Sequence, residues 1–451
     1  MHPFFQRLPD FLHPTGAAES GWRRWLAPSE FEFLLLFAFF LPFREAPKTI
    51  FWALYIVTWL INRIPARNFG GPWRIWDSVA VAPLASGVQA ATFAGIRTPS
   101  GREWLALNDP FMQTALLLCL WRARYGVAQW KAVFGMLLFS CVISELEGIW
   151  LWKVAGSNQA LQLKSVGHVN HSAIYLAIIS GLALAFTLYS TKCESWQKQI
   201  VLFGAFVISL TGVLMSDSRA AVGTALVLIG ILCLIASRSL RMGKTWWTMI
   251  LTAVVAITFS FGAGTIQKQK TYAQNNDVLS SRDRIWNRGL AAWKANVIFG
   301  VGIGNFREIS DTEIAKWLET EGKTFSEEEY FRPFSHAHNL FVNTLVERGA
   351  CGLFALLLFL GYWGWGLATS LPLGTVNSEH LLFWGGSLSP WLISITVGLA
   401  NTTLHHEHAL LSIVLLAGWI SWREMTSGKF GRQTSSSQHG DKAFPGKQIV
   451  S

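Results

Sequence analysis

Apolar residues along this chain fall into long unbroken runs separated by short polar breaks. Twelve runs are predicted as helices, at about 28–44, 48–64, 78–96, 110–126, 131–152, 171–190, 199–215, 220–238, 246–265, 349–369, 382–400 and 407–423. Runs of roughly 17 to 25 residues are what an α-helix needs to cross a hydrocarbon core. A transmembrane barrel would show shorter segments alternating with period two, so an all-α, polytopic membrane protein with about twelve spans is expected. The chain then divides into helices 1–9 over 1–265, a large polar loop over 266–348, helices 10–12 over 349–423, and a tail over 424–451. The tail's Ser, Gln, Gly and Lys content reads as disordered.

A polar segment as long as 266–348 inside a compact protein is usually functional. Within it, Ser281-Arg282-Asp283-Arg284-Ile285-Trp286 opens a helical pattern carried by Ile285, Leu290, Ala291, Trp293 and Val297. Gly300, Gly302 and Gly304 end that pattern. They lack both the βαβ setting and the following Lys-Ser/Thr of a phosphate-binding loop, so they read as a tight turn. The acidic stretch from Glu313 to Glu329 reads as an amphipathic or loosely ordered surface piece.

Composition agrees with a membrane setting: 51% hydrophobic and 14% charged residues, with 23 Trp and 31 Phe, are far from a soluble domain. Basic residues orient the chain. With the N-terminus inside, the short inner loops carry eleven Lys and Arg, from Arg63 to Lys244, against seven in the outer ones, from Arg44 to Arg219. The large loop then faces outward, and the net charge of +10 is answered by membrane lipids without a nucleic-acid partner. Cys119, Cys141, Cys193, Cys233 and Cys351 show no CxxC spacing and read as packing residues. Met1 to Pro28 carries acids, prolines and Trp in place of a basic start and a short apolar core, so the first span is expected to act as an uncleaved signal anchor.

Three polar clusters converge on the outer face. Ser216-Asp217-Ser218-Arg219 joins the seventh and eighth spans, Arg282 and Arg284 lie in the loop, and Ser335-His336-Ala337-His338-Asn339-Leu340 closes it. Guanidiniums offer forked donors to phosphate oxygens, and a nearby imidazole takes a proton at neutral pH. Attack on a lipid-linked pyrophosphate needs such a set.

The stretches SDSRAAVG, SSRDRIW with FGVGIGNF, and SHAHNLFVNTLVERGACG resemble the signature of the O-antigen ligase and polymerase superfamily, over about Lys164 to Gly352. That superfamily includes lipopolysaccharide O-antigen ligases, O-antigen polymerases and protein O-oligosaccharyltransferases. The resemblance implies an enzyme of the bacterial inner membrane with its site facing the periplasm, which moves glycan from undecaprenyl pyrophosphate to lipid A-core, without metal or cofactor and with inversion. The family's histidine directly before Asn falls on His338 as base. Its outer arginine falls on Arg219 and its loop arginine on Arg282, both on the pyrophosphate, with Arg284 able to exchange roles with Arg282. His336, Asn339 and His168 are assigned to substrate contact or orientation.

Each residue also has a plainer reading. Arg219 would be a snorkelling interface charge, Arg282 and Arg284 helix-start surface residues, and His338 a capping group; their convergence argues against all three together. His168, in Lys164-Ser165-Val166-Gly167-His168-Val169-Asn170-His171, stands evenly between substrate contact and simple loop. Leu404-His405-His406-Glu407-His408 has the residue types of a zinc site, but adjacent histidines on a helix do not easily face one ion, so no metal is assigned. Polymerase and oligosaccharyltransferase remain as alternatives, since donor chemistry is shared. An anionic-substrate transporter is disfavoured, because no paired broken spans or internal repeats are seen.

Overall fold

The computed structural model describes residues 23–427, apart from 65–66, 159, 217, 241, most of 263–280, 331–335 and 375–376. The predicted tail begins at residue 424, but the last helix continues to Thr426; the rest of the tail beyond 427, and the parts of the polar motifs at Asp217 and Ser335, lie outside the described residues. The described residues are helical throughout and include no strand: α1 Arg23–Phe40, α2 Glu45–Arg63, α3 Ile75–Thr92, α4 Arg102–Leu105, α5 Asn108–Arg122, α6 Val127–Lys153, α7 Val169–Cys193, α8 Trp196–Met215, α9 Arg219–Ser239 and α10 Lys244–Phe261. Then come α11 Arg282–Ala295, α12 Asp311–Thr320, α13 Leu340–Thr369, α14 Ser378–Thr396 and α15 His406–Thr426.

Each of the twelve apolar runs coincides with a helix. Seven of these, α6 to α10, α13 and α14 with its short extension, are long and apolar enough to cross a membrane. α7 stands at the centre, packed by α6, α8, α9, α14 and α15, and its span is buried along its whole length. Small residues allow that closeness. A Cβ on Gly181 would lie 2.2 Å from Ser389 Oγ. Outward-facing apolar side chains such as Val201, Leu251, Phe259 and Phe354 remain exposed, as a lipid-facing surface requires.

Ion pairs join helix ends on both sides of the bundle. At one end Arg63 meets Glu30, Arg74 meets Glu424, Arg122 meets Asp77 and Lys131 meets Glu379, at 2.6, 2.5, 2.6 and 3.0 Å. These are four of the basic residues counted on the inner side, and each meets an acid distant in sequence. At the other end Arg44 meets Glu147 at 2.9 Å, and Lys48 pairs with buried Glu407.

The loop differs from the expected division. α13 begins at Leu340, nine residues before the predicted tenth span, because Asn339 caps it by accepting from the N–H groups of Phe341 and Val342 at 2.9 and 3.0 Å. The helix breaks at Gly349, whose φ of 64° and ψ of −164° are not helical. The loop's own backbone enters that break: Val301 and Gly302 donate to the carbonyls of Val346 and Glu347 at 2.9 and 3.0 Å. Ala350 and Cys351 donate back to Val297 and Ile298 at 2.8 and 3.2 Å. Gly300, Gly302 and Gly304 all have positive φ, as the tight turn predicts. α11, α12 and the turn between them then close a small second core on Ile285, Phe306, Ile309, Ile314, Leu318, Ala337 and Val346.

A side chain on Gly349 meets two obstacles, the left-handed φ and an ideal Cβ 2.2 Å from Ile298 O. Gly349→Ala is therefore expected to destabilise the protein by at least about 1–3 kcal/mol, while Gly361→Ala, with nothing within 4 Å, leaves it unchanged. Thermal melting of detergent-solubilised protein checks this; equal melting temperatures for the two variants would refute the role given to the break.

Candidate active site

The His336–Asn339 turn is held from three directions. Ala337, between the two histidines, receives a hydrogen bond from Trp286 Nε1 on its carbonyl at 2.9 Å, and its N–H donates to Asn343 Oδ1 at 3.0 Å. α11 and α13 thus grip one residue from either side. Asn339 adds a third tie through Nδ2, which donates to Leu399 O at 3.0 Å. Beyond Leu399, buried Asn401 shares a side-chain hydrogen bond with the His338 ring. His338 sits at φ 48°, a left-handed conformation uncommon outside glycine that the surrounding ties sustain.

The two histidines, with ring centroids 4.3 Å apart, differ in electrostatics. Burial lowers the pKa of His338, the nearby Arg282 guanidinium lowers it further, and the Asn401 hydrogen bond opposes both. Burial, with repulsion from His338, His171, His168 and His406, pushes His336 down to about 3. Both rings are neutral near pH 7, and His336 is by far the weaker base.

Arg282 is the first residue of α11 and is half-buried; Trp286 follows one turn later on the same face. Since Trp286 is bound to Ala337, Arg282 is carried toward the histidines, which accounts for its effect on His338. Arg284 is exposed. Arg219 opens α9 and is half-buried. The first turns of α9 are tied to the end of α14 by Thr224 and Thr396, whose hydroxyls are 3.0 Å apart, so Arg219 shares the bundle end that carries Leu399 and Asn401. His168 caps α7, its Nδ1 accepting from Asn170 N at 3.2 Å, and its charge reaches both His336 and His338.

Beside this turn lies a cavity of about 650 Å³. Of the seven predicted residues His336 lines it, while His338, Asn339, His168 and the three arginines do not. Its walls carry three basic residues that the sequence argument passed over, Arg102, Arg307 and Arg348, with His171, Asn343, His405 and His406. Asp109, His405 and His406 bring their donor atoms within 4.8 Å of one another, a group able to hold a metal ion. Four further residues that position the site also escaped the sequence argument: Trp286, Asn343, Asn401 and Arg288. Arg288 is fully buried and ties Asp311, Ile309 O and Tyr330 O at 2.6, 2.5 and 3.2 Å, so it holds the loop core together. For Asn343 the signal was present, since it lies four residues after Asn339 on the same face of α13.

No curated protein matches the chain. Residues 204–360, which hold Arg219, both loop arginines and the whole His336–Asn339 turn, match the family described as O-antigen ligase.

Proposed function

We propose that the protein transfers O-antigen polysaccharide from undecaprenyl pyrophosphate to lipid A-core at the periplasmic face of the inner membrane. The observation that carries this reading is a neutral, half-buried imidazole, His338, held by Asn401 and influenced by the Arg282 guanidinium, at the helix ends of a bundle with membrane-length helices. His338 takes the proton of the acceptor hydroxyl as that oxygen forms its bond to the anomeric carbon. The bond from that carbon to the pyrophosphate oxygen breaks on the opposite face, which inverts the centre, and undecaprenyl pyrophosphate leaves. Arg219 and Arg282 receive the charge that develops on the leaving phosphate. Arg284, exposed on the next turn of the loop surface, makes outer contact with the donor, and Asn339 and His168 fix the approach. His336 is too weakly basic to replace His338 and is a contact residue. The polyprenyl tail enters from lipid between helices.

The same donor chemistry serves a polymerase or a protein-directed transferase, and a deletion strain separates them. Loss of the lipopolysaccharide ladder with long chains retained on the carrier lipid identifies the ligase. Single-repeat lipopolysaccharide identifies the polymerase, and unchanged lipopolysaccharide with an unglycosylated protein identifies the third.

In a reconstituted assay with lipid-linked glycan and lipid A-core, His338→Ala is expected to lower turnover about 10²- to 10⁴-fold with donor binding retained, because proton removal matters in the transition state. Arg219→Ala and Arg282→Ala weaken donor binding as well as turnover, and lysine restores only part, lacking the forked geometry. His336→Ala is milder, and EDTA does not abolish transfer. Near-normal transfer by His338→Ala, or loss of transfer on chelation with rescue by a divalent ion, refutes the assignment.

The pH profile gives a second check. The pKa of His338 lies below the ordinary 6.5, so the basic form persists as pH falls through 6.5, and the acid limb of kcat/KM should lie below that value. Arg282→Gln removes one of the influences that lower it and should move the limb upward. A limb at or above 6.5 in the parent, or one that moves downward in the variant, contradicts His338 as the titrating base.

A further inference from the structure

We propose that Asp109, His405 and His406 form a binding site for one divalent transition-metal ion of the zinc type, at the wall of the cavity and apart from the transfer chemistry. His405 Nε2 and His406 Nδ1 stand 3.6 and 3.7 Å from the same carboxylate oxygen, Asp109 Oδ2. These separations are too long for hydrogen bonds. They are close to the spacing of neighbouring ligands around tetrahedral zinc, where bonds of 2.0–2.1 Å put donor atoms roughly 3.3 Å apart. Two imidazoles with one carboxylate suit zinc, cobalt or nickel better than magnesium or calcium, which take all-oxygen shells.

Adjacent histidines cannot share an ion within a regular helix, and here they are not within one. His405 is extended, at φ −133°, as the residue before α15, while Leu404 and His406 have φ of 56° and 48°. That pair of left-handed residues turns both rings toward the first turn of α5. The side chains are 33%, 46% and 52% exposed for Asp109, His405 and His406, so an ion reaches them from water. A fourth imidazole lies beside the group: His171 Nδ1 is buried with no hydrogen-bond partner, and its ring centroid lies 6.4 and 6.1 Å from those of His405 and His406. A bound ion would join the start of α5 to the turn before α15.

The test uses the full-length protein in detergent, without a polyhistidine tag, stripped with EDTA and titrated with Zn²⁺ and Co²⁺. The expected result is one tightly bound equivalent, visible absorption of four-coordinate cobalt, and a raised melting temperature that EDTA reverses. Asp109→Asn and the double change His405→Gln with His406→Gln should lose the equivalent, while His380→Gln, whose ring binds Ser370 O elsewhere, keeps it. His406→Cys should retain the ion and add a thiolate-to-cobalt charge-transfer band, which a merely structural role would not produce. No bound equivalent in the parent protein, equal binding in the ligand variants, or a cysteine variant that binds without the thiolate band would each overturn the site.

Discussion

A helix of membrane length that breaks part-way along leaves backbone N–H and C=O groups without partners, and in a low-dielectric setting each such group is costly. α13 breaks at Gly349, and the rest of the site depends on how that break is filled. The segment 297–302 supplies the missing donors and acceptors in both directions, and its Gly300 and Val301 carbonyls also receive the N–H groups of Gly95 and Ile96 at 3.1 and 3.0 Å. One stretch of loop is thereby laced to α13 on one side and to the connection after α3 on the other. The loop is not an appendage on a bundle, since its backbone completes the hydrogen bonding of a bundle helix.

This arrangement explains how the histidine turn is placed. α11 leads directly into the 297–302 segment, so fixing that segment fixes α11, and α11 delivers Trp286 to Ala337. The first half of α13, lying before the break, delivers Asn343 to the same residue. Both supports of the His336–Asn339 turn therefore depend on the break being filled, and buried Glu347, which accepts from Phe306 N at 3.4 Å, lies at the junction of the two cores. A small displacement at Gly349 would be felt at His338 although the two are eleven residues apart in sequence.

Much of this was legible in the sequence, for identifiable reasons. The apolar runs mark helices because hydrophobic length is a local property, and each run falls on one. Asn339 before an apolar stretch and the alternate glycines at 300, 302 and 304 announce a cap and a left-handed turn by residue chemistry alone. The nine residues from Leu340 to Arg348 read as loop, yet they form the first part of α13, where Glu347 is buried against the loop core. Long-range pairings left no local mark: Arg288 reads as an ordinary surface charge of α11, and nothing in the sequence links Asn401 to a histidine sixty-three positions earlier. The pairing of His405 with His406 was judged on helical geometry, which the positive φ values at Leu404 and His406 set aside.

The arginines of the cavity wall are held more loosely than those paired at the helix ends. At the end holding Arg63, Arg74, Arg122 and Lys131, each of these four cations meets a carboxylate at 3.0 Å or less and joins helix ends. At the histidine end Arg102 stands 3.6 Å from Glu308, beyond hydrogen-bond range, and Arg348 reaches a backbone carbonyl, Pro83 O, at 3.4 Å. Arginines set in a cavity wall with such loose partners keep much of their capacity for an incoming anion, because a guanidinium already forked onto a carboxylate must lose that pairing before it can bind a phosphate. These cavity arginines share the cavity wall with His336 and His405, whose pKa values burial lowers. Protonation of such an imidazole becomes easier where a negative group arrives to offset the new charge.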